Sequence, residues 1–289
     1  MTARVSVLFA AVLFGTTGTA QALGPAGLSP LTVGAARIVA GGAALAVLAL
    51  VLPRNRVRLS PLLVLAAGAA VAVYQLAFFE AVHRTGVAVG AVVAIGSGPV
   101  VAGLLERAFG GPWPDRRWLV ATGLAVAGVA ALSLAGRAES GVAPSGICLA
   151  LASGAAYAGY TVIAKRMLRS GAGPTHVMGA AFGTAALMLL PVLLLGDTAW
   201  LQSGRGLELA VYLAVGPTVL AYVLFARGLR RLSASETTTI VLAEPVTAAI
   251  LAVAVLHERL GVGAAVGIAL VLAGIAALAL PGRSREAAA

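Results

Sequence analysis

Charge is what this sequence has least of. Only 10% of its 289 residues are Asp, Glu, Lys or Arg, against 60% hydrophobic, and its mean hydropathy is +1.01. A soluble domain carries about a quarter charged residues, so this chain has too few to cover a water-facing surface. Its apolar stretches are long enough to cross a bilayer. Lipid is therefore the expected solvent, and the fold class is an all-α integral membrane protein. Cysteine is nearly absent: Cys148 stands alone, which excludes an intramolecular disulfide and leaves the redox compartment unread. Lysine is nearly absent too. Lys165 is the sole example among 20 basic residues and lies at the end of an apolar run, which argues against a mid-helix Schiff base of the retinal type. Arginine replaces it throughout, in an Ala- and Gly-rich composition typical of a GC-rich bacterial genome.

Motifs for chemistry are missing as well. No G-x-S-x-G, H-E-x-x-H or C-x-x-C occurs, and no Walker sequence, so hydrolase, zinc-protease and thiol-redox chemistry and direct use of ATP lose their usual signatures. His83, His176 and His257 fall at the ends of apolar runs, far apart and without ligand spacing. No metal and no cofactor is expected, and the chain is not expected to be an enzyme. An intramembrane enzyme or a sensor remains a remote alternative; a sensor would need a soluble output domain, for which the short connections leave no room. The formal net charge of +10 sits in short clusters between apolar runs rather than on one face. That excludes nucleic acid as a partner and points to the lipid bilayer.

What is present is ten apolar segments of about span length: 4–22, 30–52, 61–82, 87–105, 117–135, 145–164, 175–195, 207–226, 236–256 and 262–280. The basic residues test this count. With the N-terminus inside, inner segments hold Arg4; Arg54, Arg56 and Arg58; Arg107, Arg116 and Arg117; Lys165, Arg166 and Arg169; Arg227, Arg230 and Arg231; and Arg283 and Arg285. Outer segments hold only Arg84, Arg137, Arg205 and Arg259. This alternation predicts a multi-pass protein of the bacterial cytoplasmic (inner) membrane with both termini cytoplasmic. Residues 1–22 also read as a secretory signal peptide, with Arg4, an apolar run and Ala20-Gln21-Ala22. The repeat described next requires the same residues as a permanent helix, and N-terminal sequencing of the mature protein separates the two.

At an offset of 146 positions the chain matches itself. Pro99-Val100-Val101-Ala102-Gly103-Leu104-Leu105 meets Pro245-Val246-Thr247-Ala248-Ala249-Ile250-Leu251, and Ala127-Gly128-Val129-Ala130-Ala131-Leu132 meets Ala273-Gly274-Ile275-Ala276-Ala277-Leu278. Two units follow, residues 1–138 and 144–284, each of five spans. An odd span number makes the second unit enter the membrane opposite to the first. Such inverted repeats characterise secondary transporters, with the binding site near midplane between the halves.

With these landmarks the sequence resembles the EamA-type transporters of the drug/metabolite transporter superfamily over essentially its whole length. The residues that carry the resemblance are Phe14-Gly15, Ala36-Arg37-Ile38, Tyr74-Gln75-Leu76-Ala77-Phe78-Phe79 and Gly98-Pro99 in the first half. In the second they are Ala155-Ala156-Tyr157 with Tyr160-Thr161, Ala221-Tyr222, Leu242-Ala243-Glu244-Pro245, Glu258 and the glycine-spaced last helix. One departure stands at position 112, a proline where the family often has an acidic residue. The resemblance implies ten helices, cytoplasmic termini, export or exchange of small metabolites or drugs, and a cavity lined by spans one, three, four, six, eight and nine.

Glu244 is the sharpest candidate residue. It lies mid-span beside Pro245, where an ionised carboxylate costs at least ~2.5 kcal/mol. It must face a cavity, find a partner or be protonated, so it is read either as a proton, cation or amine site or as a carboxylate bonded to backbone freed by the proline. Its repeat counterpart is Gly98. Pro99 and Pro245 are both expected to break their helices. Arg37 is the one basic residue within a span, and a guanidinium always carries its charge. Glu80 is its expected partner, as a structural ion pair or an outer gate element; a substrate carboxylate is the alternative. Tyr74, Gln75, Ser97, Tyr157, Tyr160, Thr218, Tyr222 and Thr239 should point into the bundle, as pocket lining or as helix–helix glue. Together they form a neutral, partly aromatic pocket unsuited to a substrate as charged as a sugar phosphate. The small-molecule substrate expected is an amino acid or related metabolite. Proton-coupled efflux of lipophilic cations is the alternative. Gly123, Gly128, Gly267 and Gly274 permit close helix packing and, as a further expectation, a homodimer contact.

Overall fold

The computed structural model describes residues 2–52, 57–111, 113–135, 143–257 and 261–279. Pro112, Glu258, Arg137 and Arg259, together with the C-terminal arginines, lie outside them, as do Arg54 and Arg56. Among the described residues every regular element is a helix, with no strand. In chain order the helices are α1 Ala3–Ala22, α2 Pro30–Val51, α3 Pro61–Ala108, α4 Arg116–Ala135, α5 Pro144–Arg169 and α6 Pro174–Leu195. Then come α7 Gly204–Ala214, α8 Ala221–Leu229, α9 Ala234–Val241, α10 Ala243–Ala254 and α11 Val262–Ala279. Four of them, α2, α3, α5 and α6, open on a proline in the first turn, where the missing N–H has no helical partner to lose. Gly110 and Gly171 close α3 and α5 at positive φ, which glycine adopts without a Cβ clash.

Among the described residues, seven helical segments are long and apolar enough to cross a membrane, Gly204–Leu229 and Ala234–Ala254 each counted as one, with a shorter apolar one, Val262–Leu278, beside them. Large apolar side chains face outward, Leu195 at 88% exposure among them. That surface suits hydrocarbon, in which backbone groups must be satisfied within the helix itself.

Spans three and four differ from expectation. Helical backbone runs unbroken through Pro61–Ala108, with no separate connection between them. It is nevertheless not straight. In a straight helix residues 82 and 90 stand ~12 Å apart, yet a Cβ on Gly90 would lie 3.0 Å from the Cα of Val82. The chain reverses within helical turns near residues 85–90. As a result Leu62 and Glu106, from opposite ends of α3, line one cavity. Pro99 does not break α3, contrary to expectation; bundle neighbours can satisfy the carbonyl that a proline frees. In the second half the helix does break, at Leu242, three residues ahead of Pro245. Span eight is also irregular, because its middle residues Val215–Leu220 form a π-helical turn between α7 and α8.

Contacts between the halves hold the bundle together. α3 packs on α5, α2 on α6, α4 on α11, and α1 against α8, α9 and α10. Small residues set the distances. A Cβ on Gly128 would stand 2.6 Å from the Gly267 carbonyl oxygen, and one on Gly274 would stand 2.5 Å from that of Ala121. Helix α1 is built into the bundle: Arg4 Nε meets Glu236 at 2.8 Å, and Thr16 accepts from the Tyr212 hydroxyl at 2.7 Å.

Candidate functional site

Five helices bring aromatic side chains to one place. Tyr157 and Tyr160 are three residues apart on α5, as are Tyr222 and Phe225 on α8, so each pair shares a helix face. Tyr160 makes ring contacts with Tyr74 of α3, Phe182 of α6, and both Tyr222 and Phe225, at centroid separations of 6.0–6.4 Å. Tyr222 lies 4.0 Å from Phe182 and 4.9 Å from Phe14 of α1. The rings thus join α1, α3, α5, α6 and α8.

Charge enters this cluster from two sides. Arg37, on α2, donates from Nη2 to the Tyr74 hydroxyl at 3.3 Å, and that hydroxyl lies 3.2 Å from the hydroxyl of Tyr222. The Tyr74 and Tyr222 pair bridges the two halves of the chain. Glu244 opens α10 just past the helix break and lies within electrostatic reach of Arg37 and Tyr157. It forms no ion pair with the described residues. The Gly15 position of α1 makes room here, since a Cβ there would meet the Glu244 carbonyl at 2.6 Å. Three buried polar atoms of the cluster have no hydrogen-bond partner among the described residues: Arg37 Nε and the hydroxyls of Tyr157 and Tyr160. Buried polar atoms are nearly always bonded, so three orphans within one cluster are unusual.

The structure therefore gathers Arg37, Tyr74, Tyr157, Tyr160, Tyr222 and Glu244, and leaves the other candidates elsewhere. Gln75 packs against Gly34 of α2. Ser97 bonds to the Ala94 carbonyl at 3.2 Å and packs against Gly154 of α5. Thr218 donates to the Leu213 carbonyl at 2.8 Å within the π turn. Thr239 pairs with Thr122 of α4 at 2.9 Å. Glu80 is not the partner of Arg37. It binds Arg84 at 2.7 Å, with both side chains about half exposed. Glu80 lies nearly two turns beyond Tyr74, out of the cluster, and Arg84 one turn further on is the nearer cation.

A second set of contacts escaped the sequence reading. At the end of the bundle where α1 begins and α3 ends, Glu106 accepts from the backbone N–H of Ala234 at 2.6 Å and of Ser235 at 3.0 Å, and from the Ser235 hydroxyl at 2.7 Å. It caps α9 from another helix. Lys165 donates to the carbonyls of Leu229, Arg230 and Leu232 at the end of α8, and Arg117 donates to those of Ala277 and Leu278 at the end of α11. Negative charge meets a helix N-terminus and positive charge meets helix C-termini, as the helix dipole favours. A cap residue from a distant helix has no local spacing, so no sequence signal marks it.

This helical bundle, with a polar and aromatic centre between its halves, matches known proteins over its whole length. The model of the EamA-like transporter family matches residues 1–134 and 144–280. The uncharacterized transporter YwfM of Bacillus subtilis (strain 168) is 39% identical over 284 residues, 98% of this chain and 95% of that protein. A solved crystal structure superposes with a TM-score of 0.78 at 23% identity, covering 96% of each chain, a likeness of fold alone. The chain belongs to the EamA-like transporter family.

Proposed function

We propose that this protein is a secondary transporter that exports or exchanges small metabolites such as amino acids by alternating access. Its ten membrane spans form two inverted five-helix units in the cytoplasmic membrane, with both termini on the cytoplasmic side. The reversal inside α3 supports counting two spans there. The α4–α11 contact supports the repeat: adding 146 to Gly128 and subtracting it from Gly267 turns the first glycine contact into the second, Gly274 against Ala121. Rocking of the halves would have to part the Tyr74 and Tyr222 hydroxyls.

The observation that carries the substrate reading is a guanidinium and a carboxylate at one aromatic cluster, Arg37 and Glu244, without an ion pair between them, and with three orphaned polar atoms in the same cluster. A zwitterion fits this arrangement. Its carboxylate would meet the guanidinium, and its ammonium would meet Glu244 and the ring faces. Counterflow in proteoliposomes tests the reading: labelled amino acid should accumulate in vesicles preloaded with unlabelled amino acid, and Arg37→Gln should abolish the accumulation. Accumulation that survives Arg37→Gln refutes it.

The unpaired state of Glu244 favours one second reading, proton-coupled efflux of lipophilic cations. Under it, Glu244→Gln abolishes transport driven by a pH gradient; unchanged coupled transport in that variant sinks it. Of the four glycines, Gly123 is the one open to a homodimer contact: Gly128 and Gly274 are filled within the chain, Gly267 is buried with its carbonyl against Gly128, and nothing lies within 4 Å of a Cβ at Gly123. Crosslinking that finds only monomer removes that contact.

A further inference from the structure

A cavity of about 880 Å³ opens at the basic end of the bundle, away from the tyrosines. Nine charged side chains line it, and most are already matched. Glu236 takes Arg4, and Glu106 takes the α9 N-terminus. Asp115 accepts from the backbone N–H of Trp118 at 2.7 Å. Lys165 and Arg117 are held by helix C-terminal carbonyls. Arg166, Arg169 and Arg231 are left, all exposed and without a hydrogen-bond or ion-pair partner among the described residues. Counted as formal charges, six cations against three carboxylates leave the lining at +3.

Much of the remaining wall is apolar. Leu62, Ala66 and Val162 line it, and Leu62 is 74% exposed. Phe109 and Trp113 stand at the cavity 65% and 67% exposed, the placement of rings at a membrane interface. An unmatched positive mouth at headgroup depth, continuous with an apolar wall open to the acyl chains, has the chemistry of a phospholipid site.

We propose that this cavity binds an anionic phospholipid, with the phosphate on Arg166, Arg169 and Arg231 and an acyl chain along Leu62, Ala66 and Val162. A soluble anion would have no use for the apolar wall, and a zwitterionic lipid would offset none of the +3 charge. Bound there, the lipid lies against the Glu106 and Arg4–Glu236 contacts that join the halves.

The protein carries its own reporter. Trp113 and Trp118 line the cavity, and Trp200 lies in the segment Ala199–Gln202 between α6 and α7, outside it. Trp200→Phe removes that background, and the full-length protein in detergent is titrated with brominated phosphatidylglycerol, whose bromines quench nearby indoles. Saturable quenching is expected, with brominated phosphatidylcholine far weaker and 10 mM inorganic phosphate unable to displace the lipid. At ~1 kcal/mol per basic residue near an anionic surface, Arg166→Gln, Arg169→Gln and Arg231→Gln together weaken the effect on the order of 100-fold. Each single variant, should the triple fail to fold, weakens it about fivefold. Equal quenching by both lipids, no change in the variants, or displacement by phosphate overturns the proposal. None of these readings involves transport, so the outcome is independent of the transport assignment.

Discussion

Glu106→Ala should loosen the contact between α3 and α9 by about 2 kcal/mol. The side chain accepts three hydrogen bonds from Ala234 and Ser235, at 2.6–3.0 Å, at the first turn of an eight-residue helix. Losing an N-cap costs typically ~1 kcal/mol, and losing a negative charge at a helix N-terminus a further ~0.3–1 kcal/mol. The Ser235 hydroxyl bond adds ~0.5–1.5 kcal/mol. These sum to about 2–3.5 kcal/mol, and water reaching the partly buried site offsets part. Ser233 still caps the Glu236 N–H at 2.9 Å, so α9 itself should survive. What is lost is its tether to α3. The assay is thermal unfolding of purified protein in detergent, comparing wild type, Glu106→Gln and Glu106→Ala. Gln keeps one acceptor oxygen without the charge and should fall between the other two. Two results would refute the reasoning. An alanine variant within ~0.5 kcal/mol of wild type, the range of ordinary surface substitutions, would mean that the three bonds contribute nothing. A glutamine variant as stable as wild type would mean that the charge on the helix dipole does not matter.

Other variants read other contacts. Gly128→Leu and Gly274→Leu should each destabilise by ~1–3 kcal/mol or more through overpacking, and by similar amounts, because the two sites mirror each other; a large inequality in melting temperature would count against the mirrored packing. Arg37→Ala and Glu80→Ala should be additive within ~0.5 kcal/mol, as separate sites are; measurable coupling in a double-mutant cycle would restore the ion pair that the structure does not contain. Lys165→Met should cost ~2–3 kcal/mol in chemical denaturation, since a charged donor to three carbonyls is removed. Lys165→Arg, with a planar fork in place of a point charge, should recover only part of it.

Much of the fold was legible in the chain because the bilayer imposes it. Apolar segments must be helical to satisfy their backbone, so the spans could be marked by length, and the paired glycines at the 146 offset fell where two helices do approach closely. Pro99 and Pro245 show the limit. Both occupy the same place in the repeat and both were expected to break a helix, yet α3 continues and the second-half helix stops at Leu242. Whether a proline breaks a membrane helix depends on neighbours that satisfy the freed carbonyl, and those lie far away in sequence. The same limit applies to the site: membership of a span placed ten candidates inside the bundle, but membership alone did not say which of them meet.

The sequence by itself determined the solvent, the helical class, the basic end and the presence of Arg37 and Glu244 within apolar segments, because these follow from composition and from the cost of charge in hydrocarbon. The tertiary structure alone decided the pairings. Arg37 faces Tyr74 rather than Glu80, Thr239 joins Thr122 instead of the tyrosines, and Glu106 and Lys165 hold the ends of helices they do not belong to. A hydrogen bond has a reach of about 3 Å, and which groups come within it is settled by how helices pack, not by how residues follow one another along the chain.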